Sequence, residues 1–208
     1  MPAIKAVVFD ADGVLIHTEP FSVQLERTYG IAVERVLPFF KGVFQEALVG
    51  KTDVKDALGP HLRDWGWKGT VDELLTFWFE SEHHTDAHMI EIIGSIRGLG
   101  IRCFLATNQE QRRVDYMREK MGFGSVFDKL YSSAGIGHLK SDEEFFRIMT
   151  DDICENFLPD LQPGEVAFFD DSLGNVEAAQ RFGIQASLFT DIEGFQRKLG
   201  ELGVVMSD

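Results

Sequence analysis

The chain predicts an α/β fold: a doubly wound parallel sheet with a small α-helical unit inserted after the first strand. Three observations predict it. Short, continuously apolar runs recur along the chain, as strands buried on both faces require. Segments of helical period separate them, and strands alternating with helices imply a parallel sheet. The alternation is interrupted once, by residues 17–85, which hold no convincing strand and contain all three Trp.

The elements follow in order. Residues 4–9 read as the first strand, β-branched and nearly all apolar. Residues 17–85 then form the insert, leaving 1–16 and 86–208 as the core. Trp65, Trp67 and Trp78 are expected to be the insert's own core rather than the walls of a pocket, because a small unit needs bulky apolar groups. Met89, Ile92, Ile93 and Ile96 share one helical face over 89–98, and Gly98 and Gly100 stop the pattern. Residues 101–106 are the second strand. Val114, Met117 and Met121 mark a helix over 109–121 that ends before Gly122. Residues 129–133 give a weaker third strand. Ser141 and Glu144 have the spacing of a capping box, opening a helix with Phe145, Ile148, Met149 and Ile153 inside. Residues 166–169 are the fourth strand. A short helix over 175–182 is closed by Gly183, and 186–189 is the fifth strand.

Composition narrows the function. The 208 residues are 44% hydrophobic, enough for a substantial core. A formal net charge of -14 argues against general nucleic-acid binding and against attraction to anionic membranes. No apolar stretch follows a basic segment near residue 1, so no signal peptide is expected, and no run approaches a membrane span. Cys103 and Cys154 read as reduced, buried thiols of an intracellular protein, so a cytoplasmic location is expected. The size and charge suit a monomer. There is no internal repeat.

The most informative run is Val7-Val8-Phe9-Asp10-Ala11-Asp12-Gly13, an apolar strand ending in two carboxylates. Alone it could be a turn. Three other strand ends supply partners: Thr107-Asn108, Lys140 after Gly135 and Gly137, and Asp170-Asp171-Ser172. In a parallel sheet all carboxyl ends share one edge, so these groups converge in one crevice. Packed carboxylates repel unless a cation sits among them. Mg²⁺ is the natural candidate, since it takes hard oxygens and works with carboxylate plus phosphate. Phosphoryl transfer follows: one Asp would attack phosphorus, a second would shuttle the proton, and Thr107 and Lys140 would hold phosphoryl oxygens.

These residues resemble the haloacid dehalogenase superfamily, specifically its phosphatase-like, β-phosphoglucomutase-like branch with a helical cap after the first motif. The four motifs appear in order. They are Asp10-Ala11-Asp12-Gly13-Val14, Thr107 closing Phe104-Leu105-Ala106, Lys140 before a helix, and Asp170-Asp171 after Val166-Ala167-Phe168-Phe169. The resemblance covers essentially the whole chain. It implies a Rossmann-like core of strand order 5-4-1-2-3, with residues 17–85 as a mobile cap. It implies Asp10 as nucleophile and metal ligand, and Asp12 as general acid/base, lending its backbone carbonyl to Mg²⁺. It also implies Asp171 as a direct metal ligand, Asp170 as a direct or water-mediated one, and Thr107, Asn108 and Lys140 as phosphate binders. His17, Ser141, Ala87-His88-Met89 and Asn175 depart from the usual pattern without removing a catalytic group.

The expected activity is a Mg²⁺-dependent phosphomonoester hydrolase acting on a small intracellular phosphorylated metabolite through an aspartyl-phosphate. The alternative is a phosphosugar mutase using the same chemistry. Haloacid dehalogenation is disfavoured by Asp12, and a non-catalytic regulatory role by the intact motifs. Three further features compete for attention. Thr107-Asn108 also reads as a helix N-cap. His83, His84 and His88 lack the Glu of a zinc-protease motif, and Gly50-Lys51-Thr52 lacks the earlier Gly of a P-loop. Lys41, Lys51 and Arg63 are read as surface rather than leaving-group contacts.

Overall fold

The computed structural model of the protein describes residues 3–205. Five strands form one parallel sheet: β1 (Ala6–Phe9), β2 (Arg102–Thr107), β3 (Lys129–Ser132), β4 (Val166–Asp170) and β5 (Gln185–Leu188). Their order is β3-β2-β1-β4-β5, which read from the other edge is the expected 5-4-1-2-3. β1 lies between β2 and β4, with Phe9 opposite both Leu105 and Phe169.

The strands are apolar throughout because both faces are covered. Side chains alternate across a strand, so Val7 and Phe9 join one core cluster and Ala6 and Val8 the other. Four helices cover the first face: α7 (Ala87–Gly98), α8 (Gln111–Glu119), α9 (Phe123–Val126) and α13 (Ile192–Glu201). The second face is covered by α11 (Glu143–Asn156) and α12 (Leu173–Phe182), and a single turn, α10 (Ser133–Ile136), follows β3.

The segment between β1 and α7 is helical, as expected. It contains α1 (Phe21–Tyr29), α2 (Val33–Lys41), α3 (Phe44–Leu48), α4 (Val54–Leu58), α5 (Leu62–Trp65) and α6 (Val71–Ser81). These helices bury a third apolar cluster, to which Tyr116 of α8 adds from outside. Trp65 and Trp78 lie in that cluster, with Trp67 packed at its edge. Entry and exit are paired: Ile16 bridges Thr85, and Asp86 N–H donates to Leu15 O at 2.8 Å.

Two helix starts differ from expectation. α11 is capped by Asp142, whose carboxylate accepts from Glu144 N–H at 3.0 Å, so Ser141 and Glu144 form no capping box. α8 is capped by Glu110, which accepts from the N–H groups of Arg112 and Arg113. Asn108 is thereby released to the site. Both acids sit at the positive end of a helix, where a carboxylate serves as well as a hydroxyl.

Phe168 tests the second core: its ring packs on Phe146 at 5.2 Å between centroids and is fully buried. Phe168→Ala is expected to lower the unfolding free energy by about 3–5 kcal/mol. Urea denaturation measures it, and a loss below about 1 kcal/mol would contradict this packing.

Candidate active site

The parallel sheet delivers the chemistry to one edge. Asp10 follows β1, Thr107 ends β2, and Asp170 ends β4. Asp10 N–H donates to Phe169 O at 3.0 Å, which extends the ladder to the site. Lys140 arrives between α10 and α11, its N–H donating to Asn108 Oδ1 at 2.9 Å. All the predicted side chains come together: Asp10, Asp12, Thr107, Asn108, Lys140 and Asp171 line one cavity of about 680 Å³. Asp170 lies beneath it, fully buried.

Lys140 is the centre of this cluster. Its ammonium lies 2.5 Å from Asp10 Oδ1 and 2.7 Å from Asp170 Oδ2, and it donates to Ala106 O at 3.1 Å. Burial works against its charge, but the two carboxylates outweigh burial and hold its pKa above the ordinary lysine value. Burial also pushes Asp10 up to about 8, against the pull of Lys140 and with Asp170 and Asp12 adding repulsion. Asp171 is raised as well, by partial burial and by Asp170.

Asp10, Asp170 and Asp171 each offer an oxygen, and these oxygens lie within 4.8 Å of one another. The donor set is hard and anionic, and one ammonium cannot balance three carboxylates. It therefore fits Mg²⁺. The side chain of Asp12 is turned elsewhere: its Oδ2 accepts from Gln109 Nε2 at 2.7 Å.

Some contributors were not legible in the sequence. Asn175 donates to both oxygens of Asp170, at 3.0 and 3.1 Å, and Ser172 N–H donates at 2.8 Å. These bonds fix Asp170 and leave Asp171 freer. Gln109 follows Thr107-Asn108 directly, yet nothing in its spacing says that it reaches back to Asp12. Arg113, on the buried side of α8, donates to Phe79 O at 3.0 Å and Glu82 O at 3.1 Å, clamping the end of α6. His83, His84 and His88 are exposed and lie outside the carboxylate cluster.

The profile of the haloacid dehalogenase-like hydrolase family matches residues 4–183. The chain belongs to that family of hydrolases. A sesquiterpene phosphatase of Aspergillus oryzae is 31% identical over 106 residues, covering 51% of each chain, so the match spans about half of that relative. A phosphorylated carbohydrates phosphatase of Thermotoga maritima is 24% identical over 199 residues, covering 88% of this chain and 83% of the relative. Among solved structures, a predicted hydrolase of this family from Porphyromonas gingivalis superposes with a TM-score of 0.78 at 25% identity, covering 97% and 98% of the two chains. A family enzyme from Bacteroides thetaiotaomicron, solved with magnesium and inorganic phosphate, superposes with a TM-score of 0.77 at 18% identity, covering 93% and 99%. Among the described residues no helix is long and apolar enough to cross a membrane.

Gly13 lets Asp171 approach. Its φ is +82°, and a Cβ there would sit 2.1 Å from Asp171 Oδ2. Gly13→Ala is expected to displace that carboxylate and weaken Mg²⁺ binding at least about tenfold. Calorimetric titration measures it, and an unchanged affinity in a folded variant would contradict the close approach.

Burial pushes Glu82 up to about 7, against the pull of Arg113. Between the unfolded value of 4.5 and about 7 the folded chain holds a proton that the unfolded chain has released. This group therefore stabilises below that window and its contribution is lost as pH rises through it. Glu82→Gln is expected to flatten the fall in stability between pH 5 and 7, read by urea denaturation at both. A slope equal to the wild type's would rule this out.

Proposed function

We propose that the chain is a Mg²⁺-dependent phosphomonoester hydrolase. The observation that carries the reading is the meeting of Asp10, Asp170 and Asp171 within 4.8 Å beside a cavity that also holds Asp12, Thr107 and Lys140. The phosphatase relatives from Aspergillus and Thermotoga support it, as does the Bacteroides enzyme solved with magnesium and phosphate.

Asp10, Asp170, Asp171 and the backbone carbonyl of Asp12 would hold Mg²⁺, whose charge lets an anionic carboxylate approach an anionic phosphate. Asp10 attacks phosphorus and forms an aspartyl-phosphate, while the ester oxygen leaves with a proton from Asp12. Water then attacks the same phosphorus and gives a proton to Asp12. Phosphate departs, and the carboxylate of Asp10 is restored. Thr107 and Lys140 hold the phosphoryl oxygens. The three donors of Lys140 are engaged by Asp10, Asp170 and Ala106, so an arriving phosphoryl oxygen takes over one of them. Gln109 keeps the Asp12 carboxylate aimed at the leaving-group side. Residues 17–85 act as the cap that excludes water from this side.

The test is phosphate release from a panel of esters with and without Mg²⁺, for the wild type and Asp10→Asn. Release is expected to require Mg²⁺ and to fall at least about a thousandfold in the variant. Full activity of Asp10→Asn, or none from the wild type on any ester, would refute the reading.

A further inference from the structure

A second cavity points to the kind of alcohol the substrate carries, on the reading that the site hydrolyses phosphate esters. This cavity, about 240 Å³, is walled by Phe44 and Trp78 of the helical insert, by Ile16 and Pro20 from its entry, and by Glu82 and Gln109. It shares Asp12, Gly13, Ile16 and Thr18 with the larger cavity. It therefore opens on the side of Asp12, where the leaving oxygen receives its proton. On that reading, this is the space open to the leaving group of the ester.

Cations are scarce around it. Among the described residues Lys140 is the one Lys or Arg lining either cavity, and it is committed to the phosphoryl side. Arg113 is buried and turned to the carbonyls of Phe79 and Glu82. Arg112 is engaged by both oxygens of Asp53 at 2.7 Å. Lys41, Lys51 and Arg63 are exposed and line neither cavity. The acids here are Asp12, which carries the proton for the leaving oxygen, and Glu82, whose Oε2 lies 3.8 Å from the Arg113 guanidinium. A second phosphate or a carboxylate on the alcohol would find no lysine or arginine here to offset its charge.

Polar partners are scarce as well. Glu82 is tied into the wall, its oxygens accepting from Phe21 N–H at 3.1 Å and Trp78 Nε1–H at 3.0 Å. The amide of Gln109 is held by Asp12. A polyhydroxylated body would lose its hydration for few new hydrogen bonds. The rings of Phe44 and Trp78, 5.5 Å apart between centroids, offer apolar surface instead.

We propose that the preferred substrates are monophosphate esters of uncharged, largely apolar alcohols, whose carbon body seats against Phe44, Trp78 and Ile16. Mutase chemistry on a sugar bisphosphate is disfavoured by the same lining.

The experiment compares kcat/KM for the full chain with Mg²⁺ on hexyl phosphate, glucose 6-phosphate, phosphoglycolate, fructose 1,6-bisphosphate and phosphoethanolamine. Hexyl phosphate is expected to lead every other ester by about tenfold or more. Thr18→Lys places a cation on the shared rim and is expected to narrow the gap between hexyl phosphate and phosphoglycolate at least about threefold. Release led by the sugar, carboxylate, bisphosphate or amine ester overturns this inference and leaves the phosphatase reading intact. A gap unchanged in folded Thr18→Lys overturns the electrostatic half of it. No release from any ester overturns the phosphatase reading and this inference together.

Discussion

Lys140 is buried with Asp10 and Asp170 on either side of its ammonium, and the rest of the site depends on that arrangement. A buried charge is tolerated only when paired and hydrogen-bonded. Each of the three groups is therefore held in place by the others. The pairing makes demands on the fold. β1 must lie beside β4 so that Asp10 and Asp170 emerge together, and the loop after β3 must cross the end of β2 to bring Lys140 between them. The hydrogen bond from Lys140 N–H to Asn108 secures that crossing. Strand order and charge pairing are thus two statements of one constraint.

The cluster is not neutral when closed on itself. Asp171 adds a third carboxylate and Asp12 a fourth nearby, against one ammonium. That imbalance is retained because the neighbours of each carboxylate differ. Asp170 is bonded to Lys140, Asn175 and Ser172, and so is fixed. Asp171 is exposed and approached only as closely as Gly13 permits. Asp12 is drawn aside by Gln109. Similar residues on one sheet edge thus acquire separate positions and separate partners.

Much of this was legible in the sequence, and the reason is local. An apolar strand ending in acid or hydroxyl records burial on both faces followed by emergence at an edge. Asp10, Thr107 and Asp170 each carry that record. The five strands and the helical insert followed from period and composition. What was not legible depends on contacts between distant segments. Gln109 reaches Asp12 across 97 positions, and Arg113 reaches the end of α6 across 34 and 31. The helix starts erred for a smaller reason. Asp142 and Glu110 were available as caps, but a nearby Ser and Asn matched the capping pattern equally well. Trp78 shows a limit of choosing between core and pocket wall, since it is both.

The place of the insert explains how one edge can serve two recognition tasks. The chain leaves β1 at Asp10, passes Asp12, and enters the insert through Ile16, which bridges Thr85 on the way back. The neck therefore stands beside Asp12, and Ile16, His17, Thr18 and Glu19 line the main cavity. Groups from the sheet surround the phosphoryl side and carry its cation-binding carboxylates and its lysine. Groups from the insert, Phe44, Trp78 and Glu82, line the adjoining cavity, where the proposed function seats the leaving group. The sheet register fixes the first set, while the neck, the Arg112–Asp53 pair and the Arg113 clamp fix the second. Residues of the insert can change without disturbing the pairing of Lys140. On the proposed function, the phosphoryl chemistry and the choice of alcohol are thus held by different parts of the same fold.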